Sequence, residues 1–287
     1  LKVLLGENLP SDWNGKAWAA YQLAKQASGE LLLFSDADTE YHRATLSYAV
    51  SAMHKTNADL LTIINHNKVK SFGEKITVPF GTWSILTLLP LSIAYLWRKN
   101  QALAAGNGKF LLFKRDCYDH IGGYAAVKDN AIEDVALVKL VKANGYKWRI
   151  FDGTNLVSAR MYHNFAEALM GFTKNYFALF GYKILVALFV WLWMGIITFA
   201  PLFRIVHSLA QTLYNPALTY SVISVLATAL LWIILSIKLK YPWYLFLLYP
   251  LIIGVSIFIG LRSIVFTITQ KTTWKDRRLR HRKIRWL

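Results

Sequence analysis

Hydrophobic and polar positions follow two regimes along the chain. Up to about residue 183, short apolar runs alternate with stretches of helical spacing. Residues 2–5 read as a short strand. In residues 17–27, Ala17, Ala20, Tyr21 and Ala24 share one helical face, and Ser28-Gly29 ends it. Residues 31–35 form a nearly continuous apolar run, the pattern of a buried parallel strand, and Asp36-Ala37-Asp38 follows at once. The same reading gives helices over 44–55 and 133–144 and strands over 60–65, 109–114 and 148–151. Strands alternating with helices predict an α/β layer fold with a mainly parallel sheet.

The second regime is almost wholly apolar. Residues 184–203, 217–237 and 242–261 contain no charged residue. A helix of about 20 residues spans the roughly 30 Å hydrocarbon core, and Trp232, Trp243, Tyr220 and Tyr244 stand near the window edges, as interfacial aromatics do. Three transmembrane helices are therefore expected. A fourth apolar stretch, 76–97, is interrupted by Pro79 and Pro90 and followed by Arg98-Lys99. It reads as a broken helix lying in the interface. The domain plan is thus an α/β region over 1–183, a transmembrane region over 184–270 and a tail over 271–287.

Charge sharpens this plan. The 287 residues carry a formal net charge of +17, and 271–287 alone hold eight Lys/Arg against one acidic residue. A basic tail beyond apolar spans suits anionic headgroups on a cytoplasmic face at the cell membrane; nucleic acid is the rival partner and is set aside, because such tails seldom follow membrane spans. Three full crossings would put the tail opposite residues 1–183. The positive-inside tendency conflicts with that unless one window, such as the last with its Pro250, is re-entrant. One cysteine, Cys117, excludes a disulfide framework, and seven scattered histidines give no zinc pattern.

Candidate chemistry lies in the acidic residues. Asp36 and Asp38 end a strand, where open α/β sheets bind ligands. Two carboxylates facing one way repel unless a cation lies between them, and Mg²⁺ or Mn²⁺ would also bind phosphate oxygens; a solvated, helix-capping turn is the plain alternative. Glu133 and Asp134 open a helix, where the dipole favours anions. Gly106-Asn107-Gly108 and Gly122-Gly123-Tyr124 mark tight turns on either side of strand 109–114, and glycines let a ligand or backbone approach closely. Two acidic sites suggest one for metal and one for proton transfer. Arg160 offers a diphosphate contact or a membrane anchor.

The blocks Leu9-Pro10, Trp13-x-Gly15-Lys16-x-Trp18-Ala19, Gly29-Glu30-Leu31-Leu32-Leu33-Phe34-x-Asp36-Ala37-Asp38, Gly122-Gly123-Tyr124 and Glu133-Asp134 resemble the membrane-bound family 2 glycosyltransferases. Arg160-Met161-Tyr162, Gly171-Phe172-Thr173-Lys174-Asn175 and Trp274-Lys275-x-Arg277 are similar to the carotenoid and hopanoid-pathway members. The resemblance implies a GT-A fold and an inverting transfer from a nucleoside diphosphate sugar, most often UDP-linked. The acceptor would be a lipid or isoprenoid hydroxyl or carboxyl group at the membrane. Asp36 and Asp38 match the metal- and donor-holding D-x-D, Asp134 the general base, and Lys16 a basic position near the donor. Gly106, Asn107, Glu133 and Arg160 are further candidates for donor contact. The first strand–helix units of a GT-A domain are not found before residue 1. The Q-x-x-R-W block of processive synthases is missing after Asp134, and Arg282-x-x-Arg285-Trp286 in the tail is read as chance. That favours one sugar per acceptor over a multi-sugar polysaccharide or glycolipid synthase; a non-catalytic membrane scaffold is the remaining alternative.

Overall fold

A computed structural model describes residues 2–211, 216–274, 277–278 and 283–287. In chain order the elements are α1 (Gly15–Gln26), β1 (Leu31–Phe34), β2 (Thr39–Tyr41), α2 (Thr45–Thr56), β3 (Leu60–Ile64), β4 (His66–Asn67), α3 (Phe72–Lys75), α4 (Val78–Leu88), α5 (Leu91–Leu96), β5 (Leu111–Lys114), α6 (Arg115–His120), α7 (Glu133–Ala143), β6 (Trp148–Asp152) and β7 (Val157–Ala159). They continue with α8 (Phe165–Leu179), α9 (Ile184–Ala210), α10 (Pro216–Lys238), α11 (Leu245–Ile268), β8 (Thr273–Trp274) and β9 (Arg277–Arg278). Two compact units emerge, one from residues 1–66 and 84–159, the other from 67–83 and 160–287.

The first unit is built on a four-stranded sheet in the order β1-β5-β3-β6. Only β3 and β6 pair parallel, with Leu60 opposite Trp148 and Ile64 opposite Asp152. β5 runs antiparallel to both β1 and β3. The sheet is therefore mixed, which corrects the mainly parallel sheet expected from the sequence. β1, β3 and β6 do share one direction, but β5 lies between β1 and β3 and removes the parallel ladder there. β1 is also not the fully buried strand its apolar run suggests: it is an outer strand of this sheet, and Leu33 is 39% exposed. β3 has every residue buried. Ala49 and Met53 of α2 pack with Leu61 and Ile63 of β3, Phe110, Leu112 and Val157 into one core. α7 buries Ala136, Leu137, Val138 and Val141.

The expected strand over 2–5 is absent. Val3 and Leu5 point into water, Leu5 being 97% exposed, and a four-residue run with no ladder to join makes no strand. The apolar stretch 76–97 breaks as expected at Pro90, separating α4 from α5. Tyr95 ties α5 to β6: its hydroxyl donates to the Ile150 carbonyl (3.1 Å) and accepts from the Ile150 N–H (3.2 Å). The buried Lys142 ammonium donates to the Ala94 carbonyl at 2.6 Å, which answers acceptors that the end of α5 leaves open. Ile93, Leu96 and Trp97 remain exposed on this segment.

In the second unit, α9, α10 and α11 are each long and apolar enough to cross a membrane. α9 and α11 pack antiparallel. Gly260 lies against the Trp191 indole, a Cβ on Gly195 would meet Ile257 at 3.6 Å, and one on Gly254 would meet Phe199 at 3.4 Å. α11 is continuous through Pro250. α8 joins it through Ser263, whose hydroxyl donates to the Thr173 carbonyl at 2.5 Å and accepts from the Phe177 N–H at 2.9 Å. The tail returns to the start of α9, where the Ile184 N–H donates to the Arg285 carbonyl at 2.9 Å and the Leu185 N–H to that of Trp286 at 3.1 Å. The end of the tail and the entry to α9 thus share one end of the helix bundle. Lys275 and Arg282 lie outside the described residues.

Candidate active site

Lys16 occupies the first turn of α1, a poor place for a cation because the helix dipole is positive there. Two carboxylates answer it. Its ammonium lies 2.7 Å from Asp36 Oδ1 and 2.9 Å from Glu133 Oε1. Asp36 follows β1 and Glu133 opens α7, so one side chain joins two acidic sites about a hundred residues apart in the chain. The entry to α1 is itself pinned: the Asn14 N–H donates to the Lys128 carbonyl at 2.7 Å, and its side-chain amide to that of Asn130 at 2.6 Å. The preceding turn needs glycine at 123, where φ is +48° and a Cβ would strike the Tyr118 ring.

Asp134 stands beside Glu133 in the first turn of α7. Its Oδ2 accepts from the Gly108 N–H at 2.9 Å and its Oδ1 from the Val135 N–H at 2.8 Å. Burial, then the charge of Glu133, pushes the Asp134 carboxyl above its ordinary range, against the pull of Lys16 and the two N–H groups. A carboxyl tuned upward is suited to taking a proton near neutral pH. Asp36 shifts the other way. Burial would raise it, but Lys16 and then Lys109 more than reverse that and hold it low. Lys16 is held in its charged form despite burial by Glu133, Asp36 and Asp134.

The 106–108 loop is shaped by contact. A Cβ on Gly106 would lie 2.7 Å from the Asp134 carbonyl oxygen, and one on Gly108 would lie 2.6 Å from the Lys16 ammonium. Asn107, expected to touch the donor, has its amide engaged locally. Nδ2 donates to the Ile63 carbonyl (3.1 Å) and Asn65 Oδ1 (2.8 Å), and Oδ1 accepts from the Lys109 N–H at 3.2 Å. Its visible role is to clamp the loop to β3. Arg160 lies in the second unit and grips the buried Glu74 at two points, 2.9 and 3.0 Å. Burial opposes ionisation of Glu74, but Arg160 and the Ser71 and Lys70 N–H groups bring its carboxyl down to about 2.

Sequence reasoning missed Lys109 and Tyr41. The Lys109 ammonium is 3.7 Å from Asp36 Oδ2 and 3.8 Å from Asp38 Oδ1, and its side chain is only 6% exposed. The Tyr41 hydroxyl donates to the Lys109 carbonyl at 2.6 Å and lies 2.5 Å from the Ser35 hydroxyl. The available signal was a lysine placed between a Gly-Asn-Gly turn and an apolar strand, since lysine is almost never buried unless paired.

The donor set bears on the expected metal. Among the described residues no group of three or more His, Cys, Asp or Glu could hold an ion. Asp36 and Asp38 offer two hard oxygen ligands, and the Asp38 side chain is 55% exposed. Mg²⁺ is usually held by one or two carboxylates together with phosphate oxygens and water. The residues therefore fit an ion shared with a diphosphate rather than one caged by protein alone.

In these terms the site combines a buried carboxylate able to take a proton, two lysines able to meet a diphosphate, and two aspartates able to share a divalent ion. No curated protein matches the chain. The match to a family is to family 21, where the motifs resemble family 2. It runs over residues 2–283, nearly the whole chain, and the chain belongs to glycosyl transferase family 21.

Proposed function

We propose that the protein transfers one sugar, with inversion, from a UDP-linked or other nucleoside diphosphate sugar to a hydroxyl or carboxyl group of a lipid or isoprenoid acceptor. The observation that carries this is the bridge from Lys16 to both Asp36 and Glu133, beside an Asp134 whose carboxyl is raised. In this reading the mixed α/β unit is a GT-A-type domain. The likeness to carotenoid and hopanoid-pathway enzymes supports an isoprenoid acceptor, and an apolar acceptor gives a reason for three membrane-length helices. The shared end of the bundle that holds the tail and the entry to α9 is the cytoplasmic one, by the excess of positive charge in the tail.

The acceptor oxygen forms a bond to the anomeric carbon as the bond from that carbon to the diphosphate oxygen breaks. Asp134 takes the acceptor proton, and the bonding pair leaves with the diphosphate. The Gly108 and Val135 N–H groups keep the Asp134 carboxylate oriented, and such general-base help is worth about 10²–10⁴-fold. Lys16 holds Asp36 and Glu133 in place and faces the charge that develops on the diphosphate. Asp36 and Asp38 would hold Mg²⁺ or Mn²⁺, which when bound supplies Lewis-acid stabilisation to the leaving group.

A thermal-shift screen of nucleoside diphosphate sugars, with and without Mn²⁺, tests this on the detergent-solubilised protein. Ligand at about 100 times its Kd stabilises by about 2.7 kcal/mol. The expected result is a metal-dependent shift for one donor that is lost in Asp36→Asn. No shift with any donor overturns the proposal.

A further inference from the structure

Sugar transfer through Lys16, Asp36, Asp38 and Asp134 does not use Lys109. Its backbone is held on both sides, by the Tyr41 hydroxyl on its carbonyl and by Asn107 Oδ1 on its N–H. Its ammonium is nearly out of water, and it faces Asp36 at 3.7 Å and Asp38 at 3.8 Å. Those separations exceed a hydrogen bond, but a buried ammonium still attracts carboxylates at this range, the half-buried Asp36 more than the exposed Asp38. The ammonium therefore answers the same two carboxylates that a divalent ion would need. An ion entering there meets a fixed positive charge, and the two cations compete for one pair of ligands.

We propose that Lys109 is a built-in counter-ion that keeps Asp36 and Asp38 closed to a divalent cation until a diphosphate arrives. The diphosphate offers Lys109 other anionic oxygens and completes the ligands of the ion, so metal binding becomes conditional on the donor. This rests on the nucleoside diphosphate sugar reading. It assigns Lys109 a positioning role, since it acts through Asp36 and Asp38. If Lys109 served only to stop the aspartates from repelling each other, its loss would loosen them and weaken metal binding. A counter-ion that excludes metal predicts the opposite sign.

Mn²⁺ binding, followed by the electron paramagnetic resonance of the free ion, separates the cases on the detergent-solubilised full chain. The wild-type protein is expected to bind Mn²⁺ at least about tenfold more tightly with UDP than without it. Lys109→Met is expected to bind Mn²⁺ without UDP at least about tenfold more tightly than wild type, and Lys109→Arg to behave as wild type. Lys109→Gln replaces the Met variant if that one does not fold. A Met or Gln variant that binds no better than wild type in the absence of UDP overturns the inference, and so does a wild type that binds equally well with and without UDP. If Mn²⁺ binds to no variant even with UDP, and Asp36→Asn changes nothing, the nucleotide-sugar reading itself fails. If UDP promotes binding in wild type and the Met variant gains nothing, that reading stands and only the role of Lys109 falls.

Discussion

Asp134→Asn separates chemistry from architecture. In the native site both carboxylate oxygens accept a backbone N–H, from Gly108 at 2.9 Å and from Val135 at 2.8 Å. Asparagine keeps one acceptor, so its amide must turn an N–H toward one of those donors. Leaving one partly buried donor unanswered costs about 1–3 kcal/mol. Against this, the native carboxylate is disfavoured by burial and by Glu133, and neutralising it removes that strain. The two effects oppose each other, and the net change in stability is expected to stay within about 1–2 kcal/mol. The rate has no such compensation. Loss of the base lowers transfer about 10²–10⁴-fold, or about 3–5 kcal/mol of transition-state stabilisation. Single-turnover transfer of a labelled sugar, run beside thermal unfolding and donor binding, reads both sides. A variant that folds, binds donor and keeps more than a tenth of the wild-type rate refutes the assignment of Asp134 as base.

Two further predictions use other parts of the molecule. Gly106→Ala and Gly108→Ala should part company: the first sets a Cβ 2.7 Å from a main-chain oxygen of α7, the second 2.6 Å from a movable ammonium. Chemical unfolding should show a loss of about 1–3 kcal/mol for the first, whereas the second should leave stability nearly unchanged while transfer falls about 10²-fold through displacement of Lys16; equal stability losses would contradict this. In the second unit, the Glu74 carboxyl is held at about 2 in the folded state, below its ordinary value near 4.5. The stability it contributes is complete above pH 4.5 and is lost as pH falls toward 2. Arg160→Ala should cost about 2–3 kcal/mol at neutral pH, less than a fully buried pair because Arg160 is partly exposed, and should flatten the acid dependence of the melting temperature.

What could be read along the chain depended on whether the cause was local. α1, α2 and α7 declare themselves by apolar spacing and α9, α10 and α11 by length and hydropathy, so each was found, although α9 and α11 run seven residues past the charge-free windows that announced them. The break at Pro90 is a one-residue effect and was equally legible. The place of β5 was not, because pairing Leu31 with Lys114 is a contact across more than eighty residues that no local period records. β2 and β7 were missed for a related reason. Thr39-Glu40-Tyr41 and Val157-Ser158-Ala159 are short and mixed in polarity, and the pairing of Thr39 with Ala159 again joins residues more than a hundred apart in the chain. At the site, the acidic residues were visible as motifs. Their partners Lys16 and Lys109 differ in this respect, since Lys16 lies inside a quoted block while Lys109 acquires its neighbours only through the strand order.

Lys16 carries the last prediction, because its two carboxylate contacts make it act on a third group. Burial and Glu133 raise the Asp134 carboxyl, and Lys16 is the foremost influence pulling it back. Asp134 must be unprotonated to accept the acceptor proton, so transfer falls as pH drops through its titration. Lys16→Met removes a positive charge from the neighbourhood of a negative one and so favours the protonated form of Asp134. The acid limb of the transfer rate should therefore move to higher pH. The same substitution also frees Asp36 from its 2.7 Å partner, which weakens donor binding and raises KM without moving the limb. Measuring kcat and kcat/KM across pH keeps the two effects apart, since the limb of kcat reports the bound complex. A kcat profile that shifts to lower pH, or one that does not move while kcat falls, would mean that Asp134 is not the titrating base and that Lys16 serves the diphosphate alone.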